Sequence, residues 1–271
     1  ATVKASGNSS LKFTIPSNSG ANTSGSYFTN FSDDLSVQFG ENQEFYIQWR
    51  QRFSPEFLST IYQGGGWKQA IIGTGDLPNC STGGGSNRCS TSCTTLETVI
   101  QNTSQRGFPQ MYNSCSGSTS HGPYSGFEEP FESYNFKLQN AMPSPYCTYL
   151  QQWVLGVPTN PPGNCFIYQS NEWMTFQVHI HTGNFVTDEW QNSHVDMWIA
   201  REGQPSVQVF NYGPTALSAG TQGELFGKVW LLPYHTGKDA TQVHPTGYTW
   251  YDELIISRNK IADPGTTSPT T

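Results

Sequence analysis

Apolar and polar positions alternate with a period of two over several stretches of this chain, and each such stretch predicts a β-strand with one buried side. The clearest begins at Glu44: in EFYIQWRQRF, Phe45, Ile47, Trp49 and Phe53 fall on one side, and Tyr46, Gln48, Arg50 and Arg52 on the other. NEWMTFQVHIHTG repeats the pattern, with Met174, Phe176, Val178 and Ile180 opposite Thr175, Gln177, His179 and His181. HVDMWIARE sets Val195, Met197 and Ile199 against His194, Asp196 and Trp198, and SVQVF adds Val207 and Val209. FGKVWLLPY sends Val229 and Leu231 one way and Lys228, Trp230, Leu232 and Tyr234 the other; after a polar loop, WYDELIIS supplies a last strand.

Weaker signals fill the rest of the frame. Leu11 to Ile15 reads as an edge strand and WKQAIIG, residues 67 to 73, as a further strand candidate. Ser54-Pro55 predicts the start of a short helix, because proline's fixed φ and missing N–H suit the first helical position. Thr94-x-x-Glu97 has the capping-box form and predicts a second short helix, and Tyr149 to Leu155 a strand fragment. With 271 residues, 27 Gly, 17 Pro and only 12% charged residues, the chain reads as all-β, an antiparallel β-sandwich, and not as a helical bundle or a disordered chain. A single domain over 1–261 is expected, with 76–170 as an insertion and 262–271 as a Pro/Ser/Thr tail.

All six cysteines, Cys80, Cys89, Cys93, Cys115, Cys147 and Cys165, fall inside that insertion, and their even number predicts that disulfides brace it. That points to an oxidising compartment, and a chain beginning at Ala1 fits a processed start, so a secreted protein is expected. Sequons at Asn8, Asn22, Asn30, Asn79 and Asn102 allow for a glycoprotein. A net charge of -7 offers no basic field for nucleic acid, and no run of 18 apolar residues predicts a membrane span. A monomer is expected.

If the four best strands are neighbours in one sheet, their polar sides assemble Gln48, Arg50, Arg52, Gln177, His179, His181, His194, Asp196, Trp198, Lys228, Trp230 and Tyr234. Such side chains are poorly explained by solvation alone and suit a carbohydrate cleft, since Trp stacks on sugar faces and Arg clamps carboxylates. These strands resemble the concanavalin-like β-jelly-roll polysaccharide lyases, the group of alginate, glucuronan and heparin-I-type lyases. Arg50 and Arg52 are similar to that group's arginine-bearing strand, Gln177-Val178-His179 to its Q-[IV]-H motif, and Lys228 to Tyr234 to its late Lys/Tyr strand. A second alignment makes NEWMTFQVHI the plain Trp-led strand of such sandwiches and puts WKQAIIG in the motif's place without its His.

The resemblance implies a jelly roll that cleaves an acidic polysaccharide by β-elimination on a uronic acid. Gln177 with Arg50 or Arg52 would neutralise the carboxylate, His179 or Tyr234 would take the C5 proton, and Tyr234 would protonate the leaving oxygen. Arg52, Lys228, Trp198, Trp230 and Gln48 would bind substrate. No cofactor is required, and a structural calcium is compatible with the scheme. Two alternatives stay open: a metal-dependent carbohydrate-active enzyme using His179, His181, His194 and Asp196, in which the His179 and His181 imidazoles share one strand face, and a carbohydrate-binding module without catalysis. Glycoside hydrolysis lacks a paired-carboxylate motif, for Asp252 and Glu253 are adjacent on a strand and point to opposite faces. No G-x-S-x-G elbow is present.

Overall fold

The computed structural model describes residues 3–75, 96–102, 107–113, 153–154, 157–158, 166–219 and 221–264. Its elements run β1 (Leu11–Ile15), β2 (Tyr27–Asn30), β3 (Glu44–Phe53), α1 (Pro55–Ser59), β4 (Trp67–Thr74), β5 (Glu97–Asn102) and β6 (Gln110–Asn113). They continue with β7 (Trp153–Val154), β8 (Val157–Pro158), β9 (Trp173–His181), β10 (Asn184–Val186), β11 (Glu189–Ala200), β12 (Val207–Ser218), β13 (Phe226–Leu231) and β14 (Gly247–Ser257).

The strands form two layers whose apolar sides face each other. The larger sheet is seven-stranded, in the order β1-β14-β3-β9-β11-β10 with β12 also on β11; the smaller is five-stranded, β2-β13-β4-β5-β6, and every pairing is antiparallel. β1 has one partner, β14, as an edge strand should. The inner sides meet in an aromatic core: Phe45 of β3 and Trp190 of β11 pack on Phe226 of β13 at 5.4 and 5.7 Å, and Phe53 of β3 on Trp67 of β4 at 5.5 Å. The Tyr251 hydroxyl, buried in that core, donates to the Gln69 carbonyl at 2.8 Å and ties β14 to β4 across the layers.

The short helix forms where Pro55 predicts it, with the Ser54 hydroxyl accepting the Phe57 amide at 3.2 Å. Two expectations fail. Glu97 opens strand β5 and not a capped helix, because the buried run Thr98, Val99 and Ile100 is worth more in the sheet than in one short turn. The disulfide brace is also corrected: the sandwich holds no disulfide bond among the described residues, and is closed instead by its aromatic core. The six cysteines lie outside the described residues, as does Thr94.

Candidate functional site

The expected single cleft is divided between two faces. β3, β9 and β11 are indeed neighbours, but β13 lies in the other sheet, so the equipped side of the first three and that of β13 point outward from opposite sides of the sandwich. Arg50, Gln177 and His179 therefore do not share a site with Lys228, Trp230 and Tyr234. Period-two alternation fixes which face a side chain takes within its sheet, but not which sheet the strand joins.

On the seven-stranded sheet, register brings the predicted residues together. Gln48 stands opposite Gln177, Tyr46 and Asp196 flank His179, Trp198 is opposite Gln177, and His194 is opposite His181. The protein's own groups then occupy them. Gln177 donates to the Gln48 side-chain oxygen at 3.1 Å and to the Ile261 carbonyl at 2.9 Å, and accepts the Ile261 amide at 3.0 Å. His179 is held between Asp196, 2.8 Å from Nδ1, and Glu44, 3.0 Å from Nε2, with the Tyr46 ring stacked on it at 4.3 Å. Burial, then Glu44 and Asp196, raise the Tyr46 phenol above its usual range.

Around this core the pattern repeats. Asp196 also accepts from Gln208 at 2.8 Å, His194 bonds Asn211 at 2.8 Å, and the Lys260 ammonium sits 4.1 Å over the Trp198 ring. Arg50 is paired with Glu253 at 3.4 Å and Glu202 at 3.8 Å. With Glu44 and Asp196 on His179, and Glu202 and Glu253 already held by Arg50, the immediate surroundings of Gln177 and His179 are acidic. They disfavour an incoming carboxylate. The metal alternative finds no support either: no group of three or more His, Cys, Asp or Glu among the described residues could hold an ion, and both nitrogens of His179 are engaged.

The outward face of the five-stranded sheet is built differently. Register sets Lys68 opposite Gln101 and Gln101 opposite Gln110; Ile71, Val99 and Tyr112 form the next row with Trp230, and Gly73 and Glu97 the next with Lys228. Beyond the end of β13 the chain stays on β4, the Lys68 amide donating to the Tyr234 carbonyl at 2.7 Å. The Lys68 ammonium thereby lies 5.7 Å from the ring centres of both Tyr112 and Tyr234. Lys228 sits 5.5 Å from the Trp230 ring and 5.9 Å from Phe28.

Two features mark this face for a ligand. Gln110 is only 2% exposed, yet neither its side-chain nitrogen nor its oxygen has a hydrogen-bond partner, and the Trp230 indole N–H is likewise buried and unpaired. Buried polar atoms left so cost about 1–3 kcal/mol each, and a stable protein seldom keeps them without a use. Desolvation also pulls the Lys68 ammonium below the usual lysine range, opposed by the charge of Glu97. Lys68, Gln110 and Tyr112 were not singled out by sequence pattern. QMYN is a four-residue alternation inside a loop-rich segment, and WKQAIIG reads as a strand with one lysine.

This two-sheet frame has solved counterparts. A marine PL-14 alginate lyase from Aplysia kurodai superposes with a TM-score of 0.52 at 13% identity, covering 91% of this chain and 82% of that one. The chain has the fold of jelly-roll polysaccharide lyases. Alginate lyase Aly36B matches with a TM-score of 0.48 at 11% identity over 93% of this chain and 81% of its own. Alginate lyase vAL-1 from Chlorella virus gives 0.45 at 11% over 95% and 88%. No family model matches the sequence, and no curated protein does. In this jelly roll, β4, β6 and β13 set Lys68, Tyr112, Gln110 and Lys228 on one outward face.

Proposed function

We propose that the protein is a polysaccharide lyase that cleaves a uronic-acid-containing polysaccharide by β-elimination on the outward face of the five-stranded sheet. The observation that carries this reading is Lys68, set between Tyr112 and Tyr234 in one row with the unpartnered amide of Gln110. A uronate places a carboxylate next to the carbon that loses its proton. Lys68 and Lys228 supply positive charge and Gln110 an amide N–H, and together they stabilise the negative charge that spreads onto the carboxylate as the C5–H bond breaks.

The remaining chemistry is proton transfer. A phenolate takes the C5 proton, the C–H electron pair becomes the C4=C5 double bond, the C4–O4 bond breaks, and the leaving oxygen takes a proton from a phenol. Tyr112 and Tyr234 flank the same ammonium and divide these roles, one as base and the other as acid. Trp230 offers an aromatic edge and an indole N–H to the sugar. Hydrolysis is less well served: two carboxyl groups must face each other across a cleft, and the described strands of this sheet contribute one to the face, Glu97.

The protein then acts on an acidic polysaccharide outside the cell, as a monomer and without a resident cofactor. Tyr112→Phe and Tyr234→Phe should each lower kcat by about 10²- to 10⁴-fold, the usual worth of a positioned acid or base. Full activity in both variants would refute the site. Retention on a polysaccharide gel with no cleavage of any uronate polymer would leave a binding module.

A further inference from the structure

We propose that the outward face of the seven-stranded sheet carries a second, non-catalytic binding strip for an acidic polysaccharide, formed by Lys12, Tyr248, Trp250 and Arg52 and backed by the buried Trp173. Register places Lys12 of β1 opposite Trp250 of β14, Trp250 opposite Arg52 of β3, and Arg52 opposite Trp173 of β9. Directly opposed residues share a face, so cation and indole alternate across four adjacent strands. That face is the outer one, because Phe13, Thr249, Tyr251 and Phe53 beside them are buried on the inner side. At roughly 4.8 Å between strands the row spans on the order of 14 Å, enough for a short run of sugars.

The rings are arranged for this use. Tyr248 and Trp250 lie 5.9 Å apart at an interplanar angle of 31°, and the Lys12 ammonium stands 4.0 Å from the Tyr248 ring centre. Trp173 is 4% exposed with the Arg50 guanidinium 6.0 Å over its ring, so it backs the end of the row and offers no stacking face. Charge complementarity selects the occupant. Acidic neighbours are already engaged: Asp252 accepts the Ala5 amide at 2.7 Å and the Ser6 amide at 3.3 Å, and Glu253 and Glu202 are paired with Arg50. Arg52 and Lys12 take part in no ion pair among the described residues, so two cations face outward uncancelled on a chain of net charge -7. Sugar C–H faces stack on the rings while carboxylates meet the cations.

The strip borrows the identity of its polymer from the proposed function but lies on the opposite outer face from Tyr112 and Tyr234. It holds the polymer near the enzyme and does not position the scissile bond. Affinity electrophoresis in gels containing alginate, glucuronan or neutral dextran tests it, in a Tyr112→Phe background so that the gel polymer stays intact. Retention by an acidic polymer should fall about fivefold in Trp250→Ala and in Lys12→Gln. Turnover of short uronate oligosaccharides by the same two variants in the otherwise unaltered protein should be unchanged. Unaltered retention in Lys12→Gln and Trp250→Ala, or equal retention by dextran, would overturn the strip. If no polymer is cleaved yet retention depends on Lys12 and Trp250, the lyase reading fails and the strip stands; cleavage without that dependence is the reverse.

Discussion

Lys68 and His179 show how one residue's surroundings decide its use. His179 has carboxylates on both ring nitrogens and a phenol stacked on its face, a geometry that fixes it. We expect His179→Ala to cost about 1–3 kcal/mol in stability, through the Asp196 carboxylate it leaves buried, while kcat stays within about twofold. Lys68 is the opposite case, a desolvated cation between two phenols. Activity should fall as pH rises through its lowered pKa, and Lys68→Arg should carry the alkaline limb of the pH–rate profile upward, since guanidinium stays charged. A third residue sets acid stability. Burial holds His235, 1% exposed and 4.1 Å from the Tyr62 ring, at a pKa of about 3 against 6.5 when free. Its folded pKa is depressed, so stability is fully present above pH 6.5 and declines as pH falls toward 3, by about 1.4 kcal/mol per unit. Chemical denaturation of His235→Phe across that window should show a flatter acid limb.

At the scale of elements, the segment that follows β13 is where site and stability meet. Gly64 has φ +84, and a Cβ there would stand 1.9 Å from the Thr236 carbonyl oxygen, two residues past Tyr234. Gly64→Ala should lower the melting temperature and reduce kcat together, because it displaces the backbone that carries the phenol; differential scanning calorimetry beside a rate assay reads both. This coupling was not legible in YQGGGWK as a string. β3, β9, β11, β13 and β14 were legible, since long alternations with aromatic cores leave little choice of face. β5 and β6 were not. Glu97–Asn102 holds a capping-box residue at its start, and only its sheet partners β4 and β6 give Val99 and Ile100 a place to be buried.

For the whole molecule, the sequence carried the sandwich and its chemical vocabulary, but not the assignment of strands to sheets. β13 reads like β9 along the chain, and its pairing with β2 and β4 in place of β3 moves Lys228, Trp230 and Tyr234 to the other side of the protein. That single topological fact moves the proposed lyase chemistry from Gln177 and His179 to Gln110 and Tyr112. It also leaves the seven-stranded face to the Lys12–Trp250–Arg52 strip. The most direct test is ultraviolet absorbance of the unsaturated uronate during incubation with alginate, glucuronan, heparin and pectate. The account predicts a rise with at least one polymer that survives His179→Ala and is lost in the Tyr112→Phe/Tyr234→Phe double variant. No rise with any of them, or a rise abolished by His179→Ala and kept in the double variant, would contradict it.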